Sequence, residues 1–179
     1  MIYCVDSNII VWGIKRQATA GQEEMIVRAE QIFSRADEQE DFILIPTIVL
    51  AEILAPEPST IRTRYVEILS KSFIIAPFDV RAAQVYAEIL YGRLDKVKEI
   101  AAATGTPRQK MKVDHMIVSI ALVNGANCIY STDSGLKAFA AGLIDVRDVP
   151  PIRPAIHVNT VQQKLFETLD SKATNEEES

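Results

Sequence analysis

IYCVDSNII, residues 2–10, is the stretch on which the fold turns. IYCV (2–5) is a short apolar run of the kind that makes a buried parallel strand. Asp6 follows it directly and opens a second apolar segment, Ser7–Gly13. In an open parallel sheet the carboxyl ends of the strands are where ligands bind. A charge placed there is the first functional signal of the chain.

Working outward, four more runs read as strands: FILI (42–45), FII (73–75), CIY (128–130) and LIDV (143–146). Apolar residues recur at helical spacing between them. Met25, Ala29, Ile32 and Phe33 make one such stripe; Val80, Ala83, Ala87, Leu90 and Leu94 make a second; Val113, Ile117, Ile120 and Ala121 make a third. Asp79 suits the N-cap of the second. Pro56 and Pro58 stop a helix that begins near Thr47. This rhythm predicts an α/β fold with helices on both faces of a parallel sheet. No internal repeat is present.

The chain has 179 residues, 19 basic against 24 acidic, for a net charge of −5. Its 48% apolar and 24% charged content is a globular mix that excludes wholesale disorder. No stretch approaches the ~18 apolar residues of a membrane span. Asp6 interrupts the place where a secretory signal would stay apolar, and no basic segment precedes it, which predicts a cytoplasmic protein. Cys4 and Cys128 sit far apart in apolar runs and read as reduced, buried residues. A mildly acidic chain does not hold nucleic acid by bulk charge.

Residues 15–22 read as a loop. Residues 95–112 read as an irregular segment with Gly105 and Pro107, ending in a basic cluster of Arg108, Lys110 and Lys112. Pro150, Pro151 and Pro154 mark a semi-rigid connector. The expected organisation is a domain over 1–148, a connector and amphipathic helix over 149–169, and a disordered acidic tail over 170–179. Val161, Leu165, Phe166 and Leu169 form a stripe too short to stand alone, which is expected to dock within a homodimer.

Four acids sit where charge is out of place. Asp6 has an ordinary reading as the cap of Ser7–Gly13. Glu52 is the only polar residue of IVLAEIL (48–54), so a helix there is expected to bury it, either in a salt bridge or in a functional site. Asp114 falls in the first turn of a helix expected over Val113–Asn124, where a carboxylate suits the dipole. Asp133 follows CIY and suits a cap for Ser134–Ala141. In a parallel sheet, strand ends and helix starts share one edge, so the four converge. Without a nearby Lys or Arg they would repel one another and raise each other's pKa. Mg²⁺ or Mn²⁺ relieves that repulsion, because hard cations prefer oxygen ligands. Two such ions would balance the four charges, as two-metal phosphodiester hydrolysis requires. His115 and His157 are too few and scattered for a histidine-based centre, and His115 is expected on a helix surface.

DSN after the first strand, a lone Glu in an apolar helix, Asp at the start of a late helix and T-D after the next strand resemble the PIN domain. The resemblance runs in order from residue 2 to about 148. It implies a three-layer α/β/α fold with a central parallel sheet and Mg²⁺- or Mn²⁺-dependent endoribonuclease activity. Small bacterial members resemble VapC-type toxins, which implies an antitoxin partner. In such proteins Asp6, Glu52, Asp114 and Asp133 would hold metal, with Ser7, Asn8 and Thr132 orienting them by hydrogen bonds. The chain departs from compact members in its extra length at 95–112 and after 148. It also carries Ser134-Gly135 where many relatives offer another acid or polar group, implying weak binding of a second ion.

Rival readings fit less well. A HAD-type phosphatase needs a second Asp where Asn8 stands, and a receiver domain needs an acid pair and a late Lys. No G-x-x-x-x-G-K-[ST] or G-x-G-x-x-G motif is present for a nucleotide. A PIN-like module that binds RNA or protein without catalysis is the alternative, and it has little reason to keep Glu52. Arg108, Lys110 and Lys112, with Lys15 and Arg16, are the candidate phosphate contacts. The expected substrate is RNA at exposed loops, with duplex DNA spared.

Overall fold

The computed structural model describes residues 1–93, 95, 97, 99 and 108–152. Strands β1 (Ile2–Val5), β2 (Phe42–Pro46), β3 (Ile74–Ala76), β4 (Cys128–Tyr130) and β5 (Asp145–Arg147) form one sheet in the order β3-β2-β1-β4-β5. Every neighbouring pair is parallel. The described helices are α1 (Ser7–Gly13), α2 (Glu24–Glu38), α3 (Thr47–Leu54), α4 (Ser59–Ser72), α5 (Val80–Gly92), α6 (Arg108–Val123) and α7 (Ser134–Ala140). Parallel neighbours need crossovers, and right-handed ones put α1–α4 on one face and α5–α7 on the other. Accordingly α1 packs on α2 and α3, and α6 packs on α5 and α7. The result is the three-layer α/β/α arrangement that the sequence predicts.

The inner strands read as apolar runs because both their faces are covered. Cys4, Val5, Leu44, Ile45 and Ile129 are all fully buried. Both cysteines are free and buried. Edge strand β5 is polar instead, with Arg147 paired to Asp145 at 2.7 Å; charge on an edge discourages pairing with another sheet. Gly13 lets α1 lie close on α2. A Cβ there would stand 2.4 Å from Phe33 Cε2, nearer than atoms can approach.

Several boundaries differ from the sequence expectation. Leu143 and Ile144 do not open the last strand; their amides close α7 on Ala140 O, at 2.8 and 3.1 Å, around Gly142 at φ 78. Helix α4 lies where no element was expected. Helix α6 starts at Arg108, so the basic residues taken for a loop end are its first turns. The packed unit also extends past 148: Val149 is buried, and Arg28 donates to Val149 O at 2.5 Å and to Pro150 O at 2.9 Å. The expected tail helix (161–169), the acidic tail and the dimer docking assigned to them lie outside the described residues. Among the described residues no helix is long and apolar enough to cross a membrane.

Candidate functional site

The strand order reverses between β1 and β4, and that is where an open parallel sheet leaves a crevice at its carboxyl edge. Asp6 N donates to Tyr130 O at 3.1 Å, which ties the two strand ends together. The Asp6 carboxylate caps α1 through Oδ1, 2.7 Å from Ser7 N. Its Oδ2 accepts from Ser131 Oγ at 2.7 Å. Ser131 is fully buried and also accepts from Asp133 N at 3.0 Å. One hydroxyl therefore fixes the two strand-end acids relative to each other. Asp133 caps α7 with Oδ1, which accepts from Gly135 N at 2.7 Å and Leu136 N at 3.0 Å. Its Oδ2 forms an ion pair with Lys110.

Asp114 enters from α6. The expectation of a first-turn position is corrected: the helix begins at Arg108, so Asp114 sits in its second turn, beyond the reach of the dipole at the terminus. It is 6% exposed. Burial pushes its pKa up to about 7, the charges of Asp133, Asp6 and Glu52 push the same way, and Lys110 opposes them. The field at this one carboxyl thus records the other three acids.

Glu52 corrects the expectation of burial. Although α3 is apolar around its whole circumference, only Val49, Leu50 and Ile53 are buried, and the side carrying Ala51 and Glu52 is exposed. The Glu52 carboxyl nonetheless lies close enough to Ser7, Asp6 and Lys110 to feel all three. Lost hydration and the nearby Asp6 raise its pKa, against the pull of Ser7 and Lys110. Asp133 goes the other way. Its partial burial is outweighed by Lys110 and by the amides of Gly135 and Leu136, and its pKa is lowered. Lys110, held by Asp133, is raised in turn, with Asp114 and Asp6 adding to the effect. The premise of four acids without a basic neighbour is therefore corrected: Lys110 stands among them.

The remaining expected residues divide. Ser7 lies between Asp6 and Glu52, 3.4 Å from Asp6 Oδ1. Asn8 is exposed and Thr132 half-buried, and among the described residues neither makes a hydrogen bond to an acid. Ser131, one residue before Thr132, ties Asp6 to Asp133 instead. The phosphate role expected of Lys15 is corrected: its Nζ is buried, donates to Ile53 O at 2.7 Å, pairs with Glu57, and lies 5.4 Å from the Tyr65 ring centroid. Arg16 pairs with Glu30 at 2.9 Å. Arg108 opens α6 and Lys112 is exposed on it; Lys110, two residues from each, lies on a different face and pairs with Asp133, so the cluster does not act as one patch of three. His115 is not on the surface as expected. It is 3% exposed and stacked on Phe139 at 3.5 Å, and both ring nitrogens lack partners among the described residues. Burial lowers its pKa to about 4, so it is a neutral ring in an aromatic stack.

An all-carboxylate set suits a hard divalent cation. The buried Asp114, crowded by the charges of the other three acids, is the group such a cation would balance. Among the described residues, no three of the acids close on a common point as they stand. Lys110 already takes one oxygen of Asp133.

No protein-family model and no curated protein matches the chain. Solved structures do. The VapBC2 structure from Rickettsia felis, bound to a DNA fragment from its promoter, is similar at TM-score 0.56 and 17% identity, over 83% of this chain and 98% of that one. VapBC-1 from nontypeable Haemophilus influenzae is similar at TM-score 0.55 and 17% identity, with the same coverage. DNA-bound VapBC from Salmonella typhimurium is similar at TM-score 0.50 and 19% identity, over 84% of this chain and 99% of that one. At this identity the likeness establishes the fold, which is PIN-like.

Proposed function

We propose that this PIN-fold chain is a divalent-cation-dependent endoribonuclease acting as the toxin of a toxin–antitoxin pair. The observation that carries the reading is Asp114: a buried residue whose carboxyl stands in the field of Asp6, Glu52 and Asp133, at the crevice where the strand order reverses. Gathering like charges around a buried acid costs stability unless a cation joins them. Asp6, Asp114, Asp133 and Glu52 would hold Mg²⁺ or Mn²⁺. Bound there, the cation supplies an activated water and stabilises the leaving oxygen of a phosphodiester.

The chain's own residues do the rest. Ser131 and the α1 and α7 amides hold Asp6 and Asp133 in fixed orientations before any ligand arrives. Ser7 restrains Glu52 at the rim. Lys112 and Arg108, at the start of α6, are the basic residues left to contact phosphate. A net charge of −5 offers little bulk attraction, so RNA must be chosen by shape and by these local contacts. Single strands and loops can bend a phosphate into the crevice, whereas a duplex cannot. The neighbours are VapBC assemblies, and this supports an antitoxin as partner; as the toxin's own assembly we propose a homodimer.

The test is incubation of total RNA with wild type and Asp114→Asn in Mn²⁺, followed by mapping of new 5′ ends. Wild type should produce discrete cuts at exposed loops and the variant none. If both leave the same pattern, the nuclease reading fails and a binding-only module takes its place.

A further inference from the structure

We propose that Lys110 is the built-in counter-cation of the acid cluster, which a divalent ion must displace from Asp133 in order to bind. The inference rests on the cation-binding reading of the four acids and names the residue that sets its threshold.

Lys110 and Asp114 are four residues apart on α6, so they share one helix face. The ammonium pairs with Asp133 Oδ2, the oxygen left over once Oδ1 has capped α7. It stands in the field of Asp114, Asp6 and Glu52 as well. Lys15 is committed to Glu57, Arg16 to Glu30 and Lys137 to Asp148. The Lys110 charge thus bears on all four carboxyls, and it occupies an oxygen of Asp133 that a bound cation would use. The Lys110 side chain is half-exposed on a flexible stem, so it can leave toward solvent without unpacking the core. Asp133 cannot follow it, because the Gly135 and Leu136 amides hold its carboxylate and Ser131 Oγ holds its backbone N–H. The exchange is therefore a swap of cations on a fixed acid. Its consequence is that the site stays closed to weakly held divalent ions and fills only above a concentration set by this pair.

The test is Mn²⁺ titration of the full chain, followed by the paramagnetic signal of free Mn²⁺, in wild type, Lys110→Met and Lys110→Arg. Removing the ammonium should tighten Mn²⁺ binding about tenfold, a value discounted from the close-range Coulomb attraction because the pair is partly in water. Lys110→Arg should bind like wild type. Lys110→Met should also melt lower than wild type in EDTA and regain that loss in Mn²⁺; melting against Mn²⁺ reads the affinity even where the metal-free variant is marginal. Equal affinity in wild type and Lys110→Met would overturn the counter-cation role while leaving the cation site intact. Absence of Mn²⁺ binding in all three proteins would overturn both the role and the cation-binding reading.

Discussion

Replacing Asp114 by Asn should stabilise the metal-free protein, and by an amount that depends on pH. An unfolded Asp titrates near ~3.9, whereas in the fold burial and three neighbouring acids raise Asp114 to about 7. Between these values the folded chain holds a proton that the unfolded chain has released. Folding stability therefore falls as pH rises through this window, and the loss is complete above the folded value. At about 1.4 kcal/mol per unit, a shift of about three units costs on the order of 4 kcal/mol at pH 8 and almost nothing at pH 4. Asn keeps the shape and has no proton to lose. Urea unfolding of both proteins in EDTA, at steps from pH 4 to pH 8, should give curves that coincide at the acid end and separate in favour of the variant toward neutrality. Mn²⁺ should then erase that advantage, since only the wild type keeps the charge that binds it. A difference that stays flat with pH, or a variant weaker throughout, would refute the claim that Asp114 is an uncompensated buried acid.

Other consequences are open to measurement. Ser131→Ala removes the hydroxyl joining Asp6 to the Asp133 amide; it should cost about 1–2 kcal/mol in urea and weaken Mn²⁺ binding about tenfold or more, while Thr132→Val changes neither. Lys15→Met leaves Glu57 and Ile53 O without their buried partner and should cost about 3 kcal/mol in urea, with RNA affinity unchanged in the folded fraction. His115→Phe keeps the stack on Phe139 and removes two unpartnered nitrogens, so the melting temperature should rise by an amount equivalent to about 1 kcal/mol; a fall would mean that the imidazole has a partner in solution.

Much of the architecture was legible because buried parallel strands leave an unmistakable trace. IYCV, FILI and CIY are apolar on both faces and lie within a residue of β1, β2 and β4. Asp6 and Asp133 were legible for the same reason, as charges fixed to strand ends. What escaped has physical causes. Helix α4 buries only Leu69, so it shows no apolar stripe to read. The start of α6 is RQKMK, in which Met111 is buried between exposed Lys110 and Lys112, and it passes for a charged loop. Glu52 misled because composition reports how apolar a helix is, not which side the fold leaves open. Lys15 misled because a long apolar stem can carry an ammonium to a buried carbonyl. Ser131 and Thr132 are near-identical as residue types, and only the register of β4 decides which hydroxyl points at Asp6. Lys110 could have been found by helical spacing from Asp114, had α6 been extended to Arg108.

The claim that these carboxyls form a cation site is tested most directly by thermal melting in rising Mn²⁺. Saturation at about a hundred times Kd contributes about 2.7 kcal/mol, which for a chain of this size raises the melting temperature by roughly 5–10 °C. Wild type should show that rise and Asp6→Asn should lose it. A wild-type melting curve unmoved at millimolar Mn²⁺, or an equal rise in both proteins, would contradict the account.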